Sequence, residues 1–364
     1  MKTLFRLVAA FLSAAPLAAC GNGPPSAPES ILQGTSRPSV HAAALNLYVA
    51  NARESTVTVY ASGSNSVSRT ISQGVSEPIA LAFDRGGELY VLNCPACFPK
   101  GAGTVTVYAP RSGNVLRTIS QGIAGPTAFA LDAAGDLFVA NYGKSTVTVY
   151  APGGSTLLRT ITRGVSGPQA LAVDSLGNLY VANCDNLCVN RYGGGSVTVY
   201  APGHTDVLRT ISQGMDEPLA LLLSSTDYLF VANFGAHPNY FSTVTVYAPG
   251  KTAVYQTISQ GLNGPVALAR GPSGNLFVAN CWLLCAYGSD AGFVSVYAAG
   301  KTELLRTISK AINYPGTLVL GDSGYLFVAN EYANTVTVYA PGSKDVTRTI
   351  TQGLDTPDAL VFGP

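Results

Sequence analysis

Seven copies of one sequence pattern run along the chain, and this repeat limits its possible folds more than any other feature. A pentad Leu-aromatic-Val-(Ala/Leu)-Asn ends at Asn51, Asn93, Asn141, Asn183, Asn233, Asn280 and Asn330. Each pentad precedes a Val-(Thr/Ser)-Val-Tyr run, an Arg-Thr-Ile-like run and a Pro-x-Ala-Leu-Ala-like run. The runs are short, rich in β-branched and aromatic residues, and bounded by Gly, Pro and Asn. This pattern is typical of β-strands.

Four strands in each of seven units predict an all-β fold, a seven-bladed β-propeller of four-stranded antiparallel blades. A single blade cannot bury its own two faces, so the ring over residues 31–364 is expected to be one domain. Within each Thr-Val-Thr-Val-Tyr strand, Val should face one neighbouring blade, while Thr and Tyr face the other. The Arg-Thr-Ile strand should be outermost, with its arginines protecting an exposed edge.

Ring closure also leaves a trace, because the Pro-x-Ala-Leu-Ala-like run has eight candidate copies for seven pentads. The first copy, which starts at Pro38, is short and places His41 where Leu is usual. We therefore predict that residues 357–362 pair beside residues 47–51 and close the ring.

The fourth unit, residues 168–183, reads Pro-x-Ala-Leu-Ala-x-Asp-x-x-Gly-Asn-Leu-Tyr-Val-Ala-Asn. This pattern resembles NHL and YVTN-type β-propeller repeats, and the resemblance covers residues from about 31 to 364. It implies the propeller fold. It does not select one activity, because such propellers host adhesion, ligand binding, scaffolding and some lyase or lactonase chemistry.

The N-terminus carries an export signal, with Lys2 and Arg6 before a short apolar run. Its end, Leu17-Ala18-Ala19-Cys20, resembles the bacterial lipobox, which implies a signal peptide at 1–19 and a lipid on Cys20. Residues 20–30 would then be the lipidated Cys and a flexible tether. Gly21, where Asp would retain a lipoprotein, predicts a lipid-anchored protein of the bacterial outer membrane, on its periplasmic or surface side. The alternative is an ordinary signal peptide whose cleavage site contains a Cys.

Variation in length falls in one loop of each unit. From the first Val of each Val-(Thr/Ser)-Val-Tyr strand to the next pentad Asn there are 36 residues in all six cases. From that Asn to the next such Val the spacing is 6, 12, 6, 14, 11, 14 and 6. The long loops of units 2, 4, 5 and 6 join the second and third strands. They should lie on the same face as the blade-to-blade connections, and that face is the expected site.

Three of these loops carry paired cysteines. A zinc or iron–sulfur site would need thiolates from blades that are separated by an intact blade. A thioredoxin-like site at Cys94–Cys97 would need a helix N-terminus, and none is predicted. An oxidising compartment instead favours three local disulfides, Cys94–Cys97, Cys184–Cys188 and Cys281–Cys285, that stiffen the loops. No metal and no cofactor are expected.

The repeated asparagines invite a metal or ligand interpretation. A residue present in every blade is better explained by the fold, since Asn can cap a strand end through side-chain-to-backbone hydrogen bonds. Asp84, Asp132 and Asp174 open equivalent turns, but Ser224, Gly271 and Gly321 replace them elsewhere. No ring of carboxylates is expected.

The long loops concentrate aromatic side chains, and units 4 to 6 are consecutive, so their loops should form one raised wall. Aromatic residues on rigid loops suit a protein partner or a sugar face, although they could also simply cap the end of the ring. Phe234 and Phe293 are expected to belong to this wall as well. The candidate binding residues are Phe98, Lys100, Asp185, Arg191, Tyr192, His237, Tyr240, Phe241, Trp282, Tyr287 and Asp290.

These observations predict a monomeric, non-catalytic module that binds an envelope or extracellular protein or glycan. The alternative is a lyase or lactonase-type enzyme using the same face, with His237, Asp185 or Asp290 as acid/base candidates. An axial pocket with a carboxylate cluster would favour the enzyme, whereas a shallow aromatic wall would favour the binder. A purely structural envelope protein is a third possibility. A net charge of +1 and the lack of basic runs argue against nucleic acid as a partner.

Overall fold

Seven four-stranded antiparallel sheets follow one another along the chain in the computed structural model. It describes residues 45–95, 101–184, 194–235, 242–281 and 292–364. Blade 1 contains β28 (Pro357–Gly363), β1 (Asn46–Asn51), β2 (Thr56–Tyr60) and β3 (Val67–Ile71), in that order from the inside outward. The predicted all-β, seven-bladed β-propeller is therefore confirmed.

The other six blades each use four strands in chain order, with the Pro-x-Ala-Leu-Ala-like strand innermost. Blade 2 has β4 (Pro78–Phe83), β5 (Leu89–Asn93), β6 (Thr104–Tyr108) and β7 (Val115–Ile119). Blade 3 has β8 (Pro126–Leu131), β9 (Leu137–Asn141), β10 (Thr146–Tyr150) and β11 (Leu157–Ile161), with a short 3₁₀ helix at Tyr142–Lys144. Blade 4 has β12 (Pro168–Val173), β13 (Leu179–Asn183), β14 (Ser196–Tyr200) and β15 (Val207–Ile211).

The last three blades repeat this arrangement. Blade 5 has β16 (Pro218–Leu223), β17 (Leu229–Asn233), β18 (Thr243–Tyr247) and β19 (Val254–Ile258). Blade 6 has β20 (Pro265–Arg270), β21 (Leu276–Asn280), β22 (Phe293–Tyr297) and β23 (Leu304–Ile308). Blade 7 has β24 (Pro315–Leu320), β25 (Leu326–Asn330), β26 (Thr335–Tyr339) and β27 (Val346–Ile350). Within the described ranges, no helix is long and apolar enough to cross a membrane.

The hydrophobic core lies between the blades rather than inside them. Val147 and Val149 of blade 3 pack against Tyr200 and the pentad strand of blade 4, and Tyr150 of blade 3 packs against blade 2. Valines therefore face one neighbouring blade and tyrosines the other, as predicted. Each sheet depends on its neighbours for the burial of both faces, which makes the ring one cooperative unit.

The ring closes with a strand from each end of the described chain. Strand β28 pairs with β1 in antiparallel register, with Leu47 opposite Phe362 and Val49 opposite Leu360. The Tyr48 hydroxyl also donates to the Pro364 carbonyl at 2.9 Å. The predicted closure by residues 357–362 is confirmed. The degenerate copy that starts at Pro38 and contains His41 lies outside the described residues.

The outer strands differ from expectation in where their charges lie. These strands form the outer edges of the blades, as predicted, but their arginines lie across the sheet. Arg117 donates to Glu88 Oε2 at 2.7 Å and to the Tyr90 hydroxyl at 2.8 Å. The preceding residue of each outer strand alternates outward instead; it is a leucine in four blades, with Leu116 and Leu158 about half exposed. The suggestion that arginine protects the edge was therefore wrong, because the side chain that alternates outward is that of the residue before the arginine.

Tyrosine hydroxyls join each blade to the one before it. The tyrosine that ends each third strand donates a short hydrogen bond to a backbone carbonyl just beyond the previous blade's outer strand. Tyr108 bonds Gln73 O at 2.7 Å, and Tyr297 bonds Gln260 O at 2.6 Å. Burial raises the pKa of both phenols from the ordinary 10.0 to about 12. The neutral hydroxyl is therefore the form that the folded ring retains.

We predict that the ring loses stability as pH rises from about 10 to about 12. In this interval the folded state keeps protons on Tyr108 and Tyr297 that the unfolded chain has released, so alkali favours unfolding. Circular dichroism and tyrosinate absorbance, followed together, should show the buried tyrosines ionising in the same transition in which the ring unfolds. Tyr297→Phe should weaken the pH dependence, whereas Tyr255→Phe, at a position 64% exposed, should leave it unchanged. Ionisation of all tyrosines well before unfolding would contradict the prediction.

Candidate functional site at the loop-bearing end of the ring

The variable loops and the blade-to-blade connections lie at the same end of the ring, as predicted. The first backbone N–H after each pentad Asn donates to the carbonyl of the residue that precedes the inner-strand proline. This bond is 2.9 Å from Tyr142 N to Gly125 O, and 3.0 Å from Cys184 N to Gly167 O. Short and long loops thus begin with the same bond. We call this end of the ring the loop face.

The pentad asparagines hold the loop face together. Asn141 is fully buried, and its Oδ1 accepts a hydrogen bond from Ala124 N at 3.0 Å. Its Nδ2 donates to Val139 O and to Thr148 Oγ1, each at 3.1 Å. Equivalent bonds to a backbone N–H seventeen residues earlier recur in blades 2 to 7, for example Ser76 N to Asn93 and Ser166 N to Asn183. The structural interpretation of the asparagine ring is confirmed.

In blades 1 to 5 and 7 the far end of the loop is bonded to the next blade. In blade 3, Ser145 has φ of +49°, and its Oγ accepts from Gly167 N at 3.1 Å. In blade 4 the loop carbonyl of Gly194 replaces that hydroxyl and accepts from Glu217 N at 2.8 Å. A long loop therefore returns to the ring by satisfying the same backbone donor.

Glycine at this return position reflects close packing. Gly195 has φ of +109°, and a Cβ there would lie 2.8 Å from Asn183 O. Gly103 and Gly292 occupy the same place in blades 2 and 6 and press against the next blade's proline in the same way. The three loops with paired cysteines are thus the ones that return through a glycine, because only glycine fits.

The cysteines lie where the loops begin. Cys94, Cys184 and Cys281 are each disulfide-bonded, and Cys184 and Cys281 are buried. Their expected partners, Cys97, Cys188 and Cys285, lie outside the described residues. The three pairings Cys94–Cys97, Cys184–Cys188 and Cys281–Cys285 therefore stay predictions.

The predicted binding residues also lie outside the described residues. They are Phe98, Lys100, Asp185, Arg191, Tyr192, His237, Tyr240, Phe241, Trp282, Tyr287 and Asp290. Two other aromatic residues counted with the wall are described. Phe234 is only 6% exposed and packs with Val266 and Tyr314, so it caps the core instead of forming an exposed wall. Phe293 begins β22 and is half-buried.

The inner strands surround a mouth at the centre of the loop face. In each blade a β-bulge follows the inner-strand proline, so that the next residue has no partner in the ladder; in blade 4, Pro168 pairs with Asn183 and Ala170 with Ala182. A bulge changes the direction in which the extra side chain points. The bulge residues, from blade 1 to blade 7, are Asp358, Ile79, Thr127, Gln169, Leu219, Val266 and Gly316.

Two bulge side chains at the mouth hydrogen-bond to nearby backbone carbonyls. The Thr127 hydroxyl donates to Pro168 O of the next blade at 2.7 Å, and Gln169 Nε2 donates to Cys184 O at 3.0 Å. In blade 7 the Glu331 carboxylate lies directly over Gly316, where any Cβ would overlap Oε1. Glu331 therefore takes the space that a bulge side chain takes elsewhere.

Blades 7 and 1 together bring two carboxyl groups to the mouth. Glu331 is 5% exposed, and so is Asp358. Tyr314 lies beside them, and its ring centroid is 4.3 Å from that of Tyr332. Burial, followed by the charges of Glu331, Tyr332 and Asp358, raises the pKa of the Tyr314 phenol. Tyr314 is thus a neutral hydroxyl near two carboxyl groups, suited to hydrogen bonding rather than to proton abstraction. We call Tyr314, Glu331 and Asp358 the mouth cluster.

Sequence reasoning did not identify the mouth cluster, because it looked for function only in loop length. The signal was a set of polar residues at framework positions. Tyr314 stands at a positive-φ position that is Gly125 in blade 3, and its φ is +54°. Asp358 stands where blade 2 has Ile79. In the described part of the chain, no group of three or more His, Cys, Asp or Glu residues could hold a metal ion.

Comparison with known proteins supports the fold. No family model matches the chain, and no curated protein matches it. Hydrazine synthase from Kuenenia stuttgartiensis superposes with a TM-score of 0.66 at 16% identity, over 86% of this chain and 99% of that one. A "putative 6-phosphogluconolactonase" from Bacteroides fragilis gives 0.68 at 16% identity, over 90% and 100%. A functionally unknown protein from Desulfotomaculum acetoxidans gives 0.66 at 10%, over 87% and 98%. At these identities the likeness is one of fold alone.

We predict that Asn141→Ala destabilises the ring by about 1–3 kcal/mol, because a buried backbone donor and a buried threonine hydroxyl lose their partner. Urea unfolding measures the change. Asn114→Ala is the matched control, since Asn114 is exposed in a turn, and its effect should stay within about 0.5 kcal/mol. Equal effects of the two substitutions would contradict a structural role for the asparagine ring.

Proposed function

We propose that this protein is a non-catalytic binding module that engages a protein or a glycan through the loops of blades 4, 5 and 6. The observation that carries the proposal is that loops of different length begin and end on the ring with the same bonds. Tyr142 N and Cys184 N make the same first contact, and Ser145 Oγ and Gly194 O accept from the same backbone donor. The ring therefore does not need the additional residues, and loop insertions of this kind commonly serve recognition.

The ends of the long loops are held rigidly. This supports a binding role for these loops over the alternative that they are insertions without a function. Disulfides at Cys184 and Cys281 hold the start of two of these loops, and Gly195 and Gly292 press their ends against the next blade. A loop held at both ends loses less conformational entropy when it binds a partner. The predicted contact residues Arg191, Tyr192, His237, Tyr240, Phe241, Trp282 and Tyr287 would form the binding surface, and Asp185 and Asp290 would flank it.

A loop graft tests this proposal. Replacing residues 184–195, 234–242 and 281–292 with the four-residue blade 3 segment, Tyr142 to Ser145, keeps the first bond and the returning serine oxygen. The grafted ring should unfold like the parent protein and lose its partners in pull-downs from solubilised envelopes and in cosedimentation with cell-wall glycan. The same four-residue segment placed at residues 52–55 of blade 1, a loop of equal length with no candidate binding residue, is the control and should retain them. Equal recovery by both grafts would reject the binding surface.

We further propose that the protein is exported and held in the bacterial envelope by lipid on Cys20. The support is the lipobox-like segment Leu17–Cys20, with the Gly- and Pro-rich tether after it. Metabolic labelling with a fatty acid should mark the parent protein and fail to mark Cys20→Ala. A labelled Cys20→Ala protein, or an unlabelled parent, would refute this anchor.

The mouth cluster favours a second candidate, an enzyme of the lyase or lactonase kind. Two buried carboxyl groups beside a neutral phenol form an arrangement that could position an acid and a base near the ring axis. The Bacteroides fragilis protein with the same fold is described as a "putative 6-phosphogluconolactonase", and lactone hydrolysis is therefore included in the test. Purified protein would be assayed against a panel of lactones beside Glu331→Gln. Turnover that disappears in Glu331→Gln, while both proteins unfold alike, would favour the enzyme over the binder.

A further inference from the structure

A second concave site lies on the opposite end of the ring, at the seam where blade 7 meets blade 1. It is a cleft of about 500 Å³, lined by the turn at Ser62–Gly63 of blade 1 and the turn at Gly321–Ser323 of blade 7. Both turns lie at the strand ends away from the loop face. This volume falls within the range of small-molecule sites. We call it the seam cleft.

The topology of closure explains why a cleft opens here. In blades 2 to 7 a short turn joins the innermost strand to the second strand. In blade 1 these strands, β28 and β1, come from opposite ends of the chain, so no turn connects them. Phe362 at the end of β28 and Leu45 just before β1 form the blade 1 wall of the cleft. Closure by two strands with no connecting turn therefore accounts for the opening at this seam.

Sequence changes in blade 7 add to this gap. Blades 2 to 4 place an Asp at the start of the inner turn, and Asp84 Oδ1, for example, accepts from Glu88 N at 2.8 Å. Blade 7 has Gly321 at that position. A Cβ there would meet only ordinary contacts, 3.7 Å from Phe362 and 3.9 Å from Phe327. The space that a carboxylate occupies in blade 2 is thus left to the cleft.

One cation lines the cleft without an acidic partner. Arginines of the outer strands in blades 1 to 4 pair with an acid or a tyrosine hydroxyl, as Arg117 does with Glu88 at 2.7 Å and Arg209 does with Tyr180 at 2.8 Å. Arg348 occupies this position in blade 7, where Tyr325 replaces the acid. Its one hydrogen bond within the described residues runs from Nη1 to Ser64 O at 3.1 Å, across the seam. That bond fixes the guanidinium against the cleft.

Aromatic rings form the rest of the floor. Phe327 and Phe362 meet edge to face, with ring centroids 5.1 Å apart. The Arg348 guanidinium lies over Phe327, 5.5 Å from the ring centroid, and the half-buried Tyr325 completes the wall. Asp322 is exposed at the rim and makes no ion pair with Arg348. The cleft therefore combines an apolar aromatic floor with one positive charge.

We propose that the seam cleft binds a small organic carboxylate with a flat apolar body. The carboxylate lies against the Arg348 guanidinium, whose planar set of donors matches it, and the flat body rests on Phe327, Phe362 and Tyr325. Burial removes part of the water around the guanidinium, which strengthens its attraction for an anion. The site is separate from the loop face, so it does not depend on the binding function proposed above.

The test uses full-length protein in detergent and three probes, benzoate, 2-naphthoate and indole-3-acetate, with 2-naphthamide as the uncharged analogue. Calorimetry and saturation-transfer NMR should show 2-naphthoate binding at millimolar concentration or below, and at least about tenfold weaker binding of the amide. Arg348→Gln should weaken 2-naphthoate binding by at least about tenfold. The loop-grafted ring should bind it as the parent does.

Two further variants make the outcome specific. Arg306→Gln alters the same position in blade 6, away from the cleft, and should leave 2-naphthoate affinity unchanged. Gly321→Asp should abolish binding, because it restores the repeat's carboxylate and fills the site, while thermal unfolding reports an intact ring. No binding of any of the three carboxylates would overturn the proposal. So would equal losses in Arg348→Gln and Arg306→Gln, or undiminished binding by Gly321→Asp.

Discussion

Each blade is held in the ring by hydrogen bonds from polar side chains to one turn, the connection that joins neighbouring blades. The connection from one outer strand to the next inner strand has no regular partner of its own. A buried Asn receives its N–H, and a Tyr hydroxyl donates to its carbonyl, as Asn93 and Tyr108 do for residues 73–76. Since these groups are dry, a missing partner would leave buried donors unsatisfied. These hydrogen bonds join seven separate sheets into one ring and fix the position of the loop face.

Function at the loop face follows from this arrangement. The ring satisfies its own polar groups up to the first and last residue of each loop, so what lies between can vary in length without loss of stability. In three of the four long loops, those of blades 2, 4 and 6, the loop begins with a disulfide-bonded cysteine and ends with a close-packed glycine. The mouth cluster is different, because Tyr314, Glu331 and Asp358 occupy framework positions. A polar or charged side chain at such a position is buried in the ring. It destabilises the fold unless another contact satisfies it.

Much of the fold could be predicted because the same strand pattern recurs in every unit of the sequence. The number of pentads gave the number of blades, and the eighth Pro-x-Ala-Leu-Ala-like copy indicated the closing strand. The role of arginine was misjudged. Alternation along the outer strand could equally place Arg or Leu outward, and only the Tyr90 hydroxyl and Glu88 beside Arg117 decide between them. Phe234 was misassigned for a related reason, since a residue beside a loop can turn into the core once the next blade covers it.

The sequence by itself determined the number of blades, the order of strands within each blade and the one place where loops could lengthen. These are local and periodic properties, set by strand alternation and by residues whose backbone preferences recur. Tertiary structure alone decided which unlike residues meet. The mouth cluster joins blade 7 to the closing strand, and the seam cleft exists because β28 and β1 come from opposite chain ends. Such meetings depend on the curvature of a closed ring, which brings together residues that no sequence spacing relates.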